Sequence, residues 1–318
     1  MGDSNVIISE VMLRDGIQNM PEFIPTEVKI ELFRLMAVSG LRDIEITSFV
    51  NPKAVPQFRD AAQMAQAVLD MKPDGVELSA LIPNLKGARN ALESGIRKLD
   101  FVMSVSESHN ISNVRRTTSE SVDELKRILE LRDDYPDMHI KVGMATVFGC
   151  PFEGKIMPQV TLNFIRRFHD LGIRNMSISD TVGFGNPKEV KEVSKLCIAE
   201  FPDVTFAVHL HNTRGLGLAN AFAAYESGIR ILDGAVGGLG GCPFAPGASG
   251  NTSTEDMVFM FEEMGVSTGV SIDRLLEVSR YFKSVKTDVR FTSSILEAGV
   301  PVLRGPIAKD DSEQKWLT

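Results

Sequence analysis

The sequence predicts a (β/α)₈ barrel, and three observations carry that prediction. One short phrase recurs four times along the chain: Ser39-Gly40-Leu41-Arg42, Ser94-Gly95-Ile96-Arg97, Leu171-Gly172-Ile173-Arg174 and Ser227-Gly228-Ile229-Arg230. Each copy closes an amphipathic segment and opens a strand-like one, and its glycine suits the left-handed turn that caps a helix. The four glycines lie 55, 77 and 56 residues apart, each interval long enough for two βα units, which makes about eight units in all. Third, the strand and helix patterns alternate throughout, which selects a parallel α/β fold.

The strand-like runs are Val6–Leu13, Asp43–Val50, Val76–Pro83, Lys98–Ser106, His139–Phe148, Asn175–Val182, Thr205–Asn212 and Ile231–Gly237. Helical patterns between them include Thr26–Ser39, Phe58–Met71, Ser119–Arg132, Thr161–Leu171 and Pro187–Glu200; Pro187 suits a first helical position. Ser271–Ser284 reads as an extra helix after the barrel, and the polar tail Lys309–Thr318 as a frayed end. The expected organisation is one domain over 1–318, with the barrel over 5–265 and a C-terminal helical extension over 270–308.

Composition narrows the class of function. A net charge of −8 argues against a nucleic-acid partner, which calls for a basic face. No apolar run reaches membrane-spanning length, so no membrane partner is expected. The first residues lack the basic and apolar regions of a signal peptide, and three cysteines are too few and too scattered for a disulfide framework. A cytoplasmic enzyme is expected, assembled as a homodimer or higher homo-oligomer.

Catalytic groups of such a barrel belong at the C-terminal ends of its strands. His209 and His211 sit at i and i+2 of strand 7, so both imidazoles project to one face and can grip one metal ion. Asp15 is the best further ligand, and Asn251 can add an amide oxygen. Two nitrogens and two oxygens with open positions suit Mg²⁺ or Mn²⁺ as the divalent cation, with Co²⁺ or Zn²⁺ as substitutes. Arg14, beside Asp15 at the end of strand 1, can polarise a carbonyl. Glu45 lies between Ile44 and Ile46 in a strand buried on both faces, so it is expected to point into the barrel. Asp180 ends strand 6, where it is either an active-site carboxylate or the cap of the turn Thr181-Val182-Gly183. Cys242 follows the glycine-rich run Gly237–Gly241, where it is either an incidental thiol in a mobile loop or an acid–base group. Cys150 and Cys197 read as structural. The run Ser104–Asn110 is either a polar channel wall or a helix-capping loop, and Arg115-Arg116 either a phosphate contact or a solvated pair.

Together these residues resemble the 3-hydroxy-3-methylglutaryl-CoA lyase family of metal-dependent barrels. The carriers are Leu13–Asn19, Ile44–Val50, Gly149–Lys155, His209–Thr213 and Gly238–Asn251 with Thr254-Glu255-Asp256. The resemblance implies divalent-metal-dependent retro-Claisen cleavage of an acyl-CoA thioester to acetyl-CoA and a keto acid. It implies Asp15, His209, His211 and Asn251 as ligands, Arg14 as stabiliser of the thioester oxygen, and Cys242 as the acid that protonates the departing carbanion. It also implies Glu45 as a group behind the first ligands and Asp180 as an active-site carboxylate, with His209 or Asp15 as the base. The chain has Met12-Leu13 where the family has Gly-Pro, and Met20-Pro21 where it has Glu-Lys. These departures leave citramalyl-CoA or a longer-branched hydroxyglutaryl-CoA open as substrate. A zinc amidohydrolase barrel is the more distant alternative, but its His-x-His ends strand 1, and here His109, His139 and His169 are poorly placed to complete it. A non-catalytic metal barrel would not explain Arg14, Glu45 and Cys242 together.

Overall fold

The computed structural model describes residues 5–71, 75–241 and 250–301. Its strands are β1 (Ile7–Glu10), β2 (Asp43–Ser48), β3 (Glu77–Ile82), β4 (Lys98–Ser104), β5 (His139–Ala145), β6 (Asn175–Asp180), β7 (Thr205–Leu210) and β8 (Ile231–Gly234). Every neighbouring pair is parallel, and β8 returns to pair with β1, so the sheet closes into a barrel in chain order. The helices are α1 (Thr26–Val38), α2 (Ala61–Met71), α3 (Leu85–Glu93), α4 (Glu107–Val114), α5 (Thr118–Leu129), α6 (Pro158–Asp170), α7 (Pro187–Glu200), α8 (Gly217–Glu226), α9 (Thr254–Glu263), α10 (Ile272–Val285) and α11 (Ser294–Ala298). No helix among the described residues is long and apolar enough to cross a membrane.

The repeated phrase now has a physical account. Gly40, Gly95, Gly172 and Gly228 all take left-handed backbone, with φ of 104°, 90°, 79° and 105°. The arginine two residues on reaches back over the helix it follows. Arg97 Nη1 donates to the carbonyls of Leu92 (2.9 Å) and Ile96 (3.2 Å). Arg174 makes the same pair to His169 and Ile173, and Arg230 to Tyr225 and Ile229. A helix end leaves its last carbonyls without partners, and a guanidinium satisfies two of them while complementing the helix dipole.

Strand alternation divides the core into two layers. On β4, Leu99, Phe101 and Met103 are fully buried outward under the helices, while Asp100 and Val102 face the barrel interior. The last helices brace the barrel from outside. Leu275, Val278 and Phe282 of α10 are buried, Ser271 N donates to Ser39 O (2.7 Å), and Arg274 donates to Val38 O at the end of α1.

Strand 1 is shorter than its sequence pattern. It stops at Glu10, and Met12–Gly16 forms one wide helical turn in which Val11 O accepts from the N–H groups of Arg14 (3.1 Å), Asp15 (2.7 Å) and Gly16 (3.2 Å). The reason is Glu10. Its buried carboxyl takes Met12 N (2.8 Å), Val236 N (3.1 Å) and Thr254 Oγ1 (2.6 Å), ending the ladder and tying β1 to the chain after β8. Arg14 and Asp15 are therefore carried on a π turn beyond the strand, a local form common at functional sites.

Candidate metal centre and active site

The barrel mouth gathers the expected residues. Asp15, His209 and His211 offer ligand atoms all within 4.8 Å of one another. The two Nε2 atoms of His209 and His211 face each other at 3.1 Å, and His211 Nε2 lies 3.7 Å from Asp15 Oδ2. His209 Nδ1 is 3.2 Å from Asp233 Oδ2, which fixes the proton on Nδ1 and leaves the Nε2 lone pair free for a cation. Burial, together with the neighbouring His209, lowers His211 to about 4, so its ring is neutral and able to ligate.

Charge supports the same reading. The cavity around the triad has a volume of about 440 Å³ and is lined by four carboxylates, Asp15, Glu45, Asp100 and Asp233, against two cations, Arg14 and Lys141. Burial works against each of these charges. For Asp15, Arg14 and the two histidines outweigh it and hold the carboxyl well below the usual range. For Arg14 and Lys141 the surrounding carboxylates win, and both stay charged. Glu45 is pushed up to about 7, because burial outweighs its bond from Arg14 Nε (2.5 Å). Two facing imidazole nitrogens and the Asp15 carboxylate, in a pocket with excess negative charge, form a donor set that fits a divalent cation.

The remaining expectations fall out differently. Arg14 bridges Glu45 and Asp15, so its guanidinium is oriented from both sides. Asn251 joins the cluster through an isolated bridge with His211, but it turns its amide nitrogen inward, to Asp15 Oδ2 (2.7 Å) and Leu239 O (2.9 Å). Its oxygen would reach a cation only after a flip of the amide. Asp180 is fully buried away from the cavity lining; its two oxygens accept from Phe184 N (2.8 Å) and Gly185 N (3.0 Å). These are the contacts of a turn cap, and burial raises its carboxyl to about 6. Cys242 lies outside the described residues.

The glycine run before it is held more firmly than its composition predicts. Gly237 N donates to both oxygens of Glu255, Thr292 N donates to Gly237 O (2.8 Å), and Asn19 Nδ2 donates to Gly241 O (2.8 Å). Cys150 is buried with Sγ 2.9 Å from Ser106 Oγ, and Cys197 is raised to about 12 by burial in α7. Ser106 caps α4, so the Ser104–Asn110 run is a helix-capping loop, yet the same helix presents His109 and Asn113 to the cavity. Arg116 bonds the carbonyl of Pro83.

Three interior groups were not singled out from the sequence: Asp100, Lys141 and Asp233. Lys141 Nζ pairs with Asp100 Oδ2 at 3.1 Å, and Ser79 Oγ donates to the same oxygen at 3.0 Å. The signal was present. Each is a charged residue in the inward phase of an otherwise apolar strand, the argument that found Glu45.

The HMGL-like family model matches residues 5–282. A hydroxymethylglutaryl-CoA lyase of Bacillus subtilis is 42% identical over 280 residues, covering 87% of this chain and 92% of that protein. An (R)-citramalyl-CoA lyase of Chloroflexus aurantiacus is 38% identical over 288 residues, covering 88% and 90%. Among solved structures, an HMG-CoA lyase from Acinetobacter baumannii in complex with coenzyme A and 3-methylmalate matches with a TM-score of 0.90 at 38% identity, covering 96% of this chain and 99% of that one.

Proposed function

This chain belongs to the HMGL-like family, and from that premise we propose that it is a carbon–carbon lyase that cleaves a 3-hydroxy-3-alkylglutaryl-type CoA thioester to acetyl-CoA and a keto acid. The observation that carries the reading is the Asp15–His209–His211 cluster beside an Arg14 held between two carboxylates, all at the mouth of one barrel.

Asp15, His209 and His211 would hold the cation, joined by Asn251 after rotation of its amide, and Mg²⁺ or Mn²⁺ suits that set of donors. When bound, the cation supplies Lewis acidity toward the substrate's hydroxyl and a neighbouring oxygen. The hydroxyl proton passes to a carboxylate oxygen of Asp15; Asp233 behind His209 holds that ring with Nε2 turned to the cation, which leaves it no lone pair to take the proton. The oxygen's electron pair then forms the keto carbonyl as the C2–C3 bond breaks, and that bond's electrons pass to the acetyl-CoA fragment as an enolate. Arg14, already fixed by Glu45, bonds the thioester oxygen on which this charge collects. Cys242 gives its proton to the enolate carbon. Asp180 holds the turn after β6 through two backbone bonds and stays out of the chemistry.

The test is a panel of 3-hydroxyacyl-CoA esters, including citramalyl-CoA because of the Chloroflexus relative, with release of acetyl-CoA followed under Mg²⁺ and Mn²⁺. At least one ester should be cleaved, EDTA should abolish the reaction, and either metal should restore it. Full activity in metal-free protein, or no cleavage of any ester, overturns the proposal.

A further inference from the structure

We propose that the acyl pocket is built for an ester whose C3 carries an apolar substituent several carbons larger than methyl; the inference rests on the lyase reading above. The cavity has two unlike walls. The metal triad and Arg14 come from the π turn after β1 and from β7. Across the barrel, the lining comes from β3, β4 and β5 and the loops above them: Leu81, Val102, Gly143 and Ala145, with Val50 and Val114. None of these six residues carries a side-chain donor or a charge; the polar groups from the same elements are Asp100 and Lys141, earlier on β4 and β5, and His109, Ser112 and Asn113 on α4. A 3-hydroxy-3-methylglutaryl group is polar at its hydroxyl, carboxylate and thioester, and it has one methyl to set against six apolar positions.

Gly143 leaves this part of the cavity without a side chain. It sits inside β5, paired with Val102 of β4, at the inward phase between Lys141 and Ala145. Its backbone is ordinary strand that any residue can adopt. A Cβ built there would meet Val102 Cγ2 at 3.3 Å, a tight contact with a side chain, and otherwise only Phe101 O at 3.9 Å. Glycine inside a strand weakens it and normally marks a bend or a close approach to a ligand. No left-handed turn and no backbone clash requires it here, and none of the register shifts falls in β5. What glycine provides is empty volume on the cavity side, and Ala145 two residues on extends that space toward the mouth. An apolar wall facing water is unfavourable, and an alkyl substituent that covers it recovers that cost on binding.

The experiment compares kcat/KM for 3-hydroxy-3-methyl-, 3-propyl- and 3-pentylglutaryl-CoA in the Mn²⁺-loaded enzyme. The pentyl ester should exceed the methyl ester on the order of tenfold or more, the range a hydrophobic pocket yields per one or two methylenes. G143V, and separately A145L, should lower the pentyl-to-methyl ratio by at least about tenfold, with each variant still binding one Mn²⁺. A wild type that prefers the methyl ester, or two folded variants whose ratio does not move, overturns the proposal. Should no ester be cleaved, the lyase reading falls alone. Calorimetric binding of the non-reacting 3-methyl- and 3-pentylglutaryl-CoA, which lack the hydroxyl, then decides the pocket's size preference by the same tenfold criterion.

Discussion

At the scale of single residues, the site depends on groups that hold other groups. Asp233 touches no expected ligand atom directly; it holds the proton of His209 on Nδ1. Removing such a partner usually costs about 10–100-fold in metal affinity or activity. Asp233→Ala should therefore weaken Mn²⁺ binding by about that factor in calorimetry, while His209→Ala and Asp15→Ala should abolish stoichiometric metal binding. Equal Mn²⁺ affinity in Asp233→Ala and wild type would remove Asp233 from this role. Cys242 is tested by chemistry alone. A serine hydroxyl is a far weaker acid than a thiol, so Cys242→Ser should keep bound metal and lose on the order of a hundredfold or more in turnover. Iodoacetamide should inactivate the wild type, with protection by a substrate analogue. Near-normal turnover in Cys242→Ser would pass the proton to another donor. Glu45 and the triad were legible in the sequence, because a charge or a histidine pair inside an apolar strand stands out. Lys141 and Asp233 obeyed the same rule. Only their convergence from β5 and β8 on one cavity gives them meaning.

At the scale of elements, the four copies of one phrase sit in unlike surroundings. All four glycines have positive φ, a conformation that costs a Cβ roughly 1–2 kcal/mol. At Gly172 nothing lies within 4 Å of the added atom, whereas at Gly40 a Cβ would fall 2.3 Å from Gly269 O, where the C-terminal helices lean on α1. Gly172→Ala should therefore cost about 1 kcal/mol, and Gly40→Ala about 3 kcal/mol or more, because the backbone of 269–270 must shift as well. Chemical denaturation of both variants checks this, and equal losses would show that the neighbouring segment yields freely. The repeat gave the fold and its period from sequence alone. The reach of Arg97, Arg174 and Arg230 back to helix-end carbonyls was hidden, because it depends on where the chain goes after the glycine turn.

For the whole molecule, one buried carboxyl ties the start of the barrel to its end. Glu10 on β1 bonds Met12, Val236 and Thr254, and burial pushes it from 4.5 to about 8. Between those values the folded protein holds a proton that the unfolded chain releases. Its contribution to stability is full below pH 4.5 and is lost as pH rises through about 8. Wild-type stability should fall on the order of 3 kcal/mol from this group between mildly acidic pH and pH 8. Glu10→Gln keeps two acceptor bonds, can donate to Thr254, and should flatten that slope. An unchanged slope in urea melts of Glu10→Gln would show that Glu10 is ionised in the fold.

The sequence by itself determined the barrel, its strand order and the His-x-His, Arg-Asp and Glu45 elements, because periodicity, glycine caps and out-of-place charges are local signals. It could not place Arg14 and Asp15 on a π turn, because that turn forms only where Glu10 takes up backbone groups from distant segments. It left Asp180 between two roles, and the turn at Phe184–Gly185 settled its contacts by presenting two N–H groups. It read the glycine run as mobile, whereas Glu255, Asn19 and Thr292 hold its first residues from three other parts of the chain. The division follows from physics: a strand or a cap is decided by neighbours in sequence, but the burial and charge that tune a site are decided by residues that meet only after the barrel has closed.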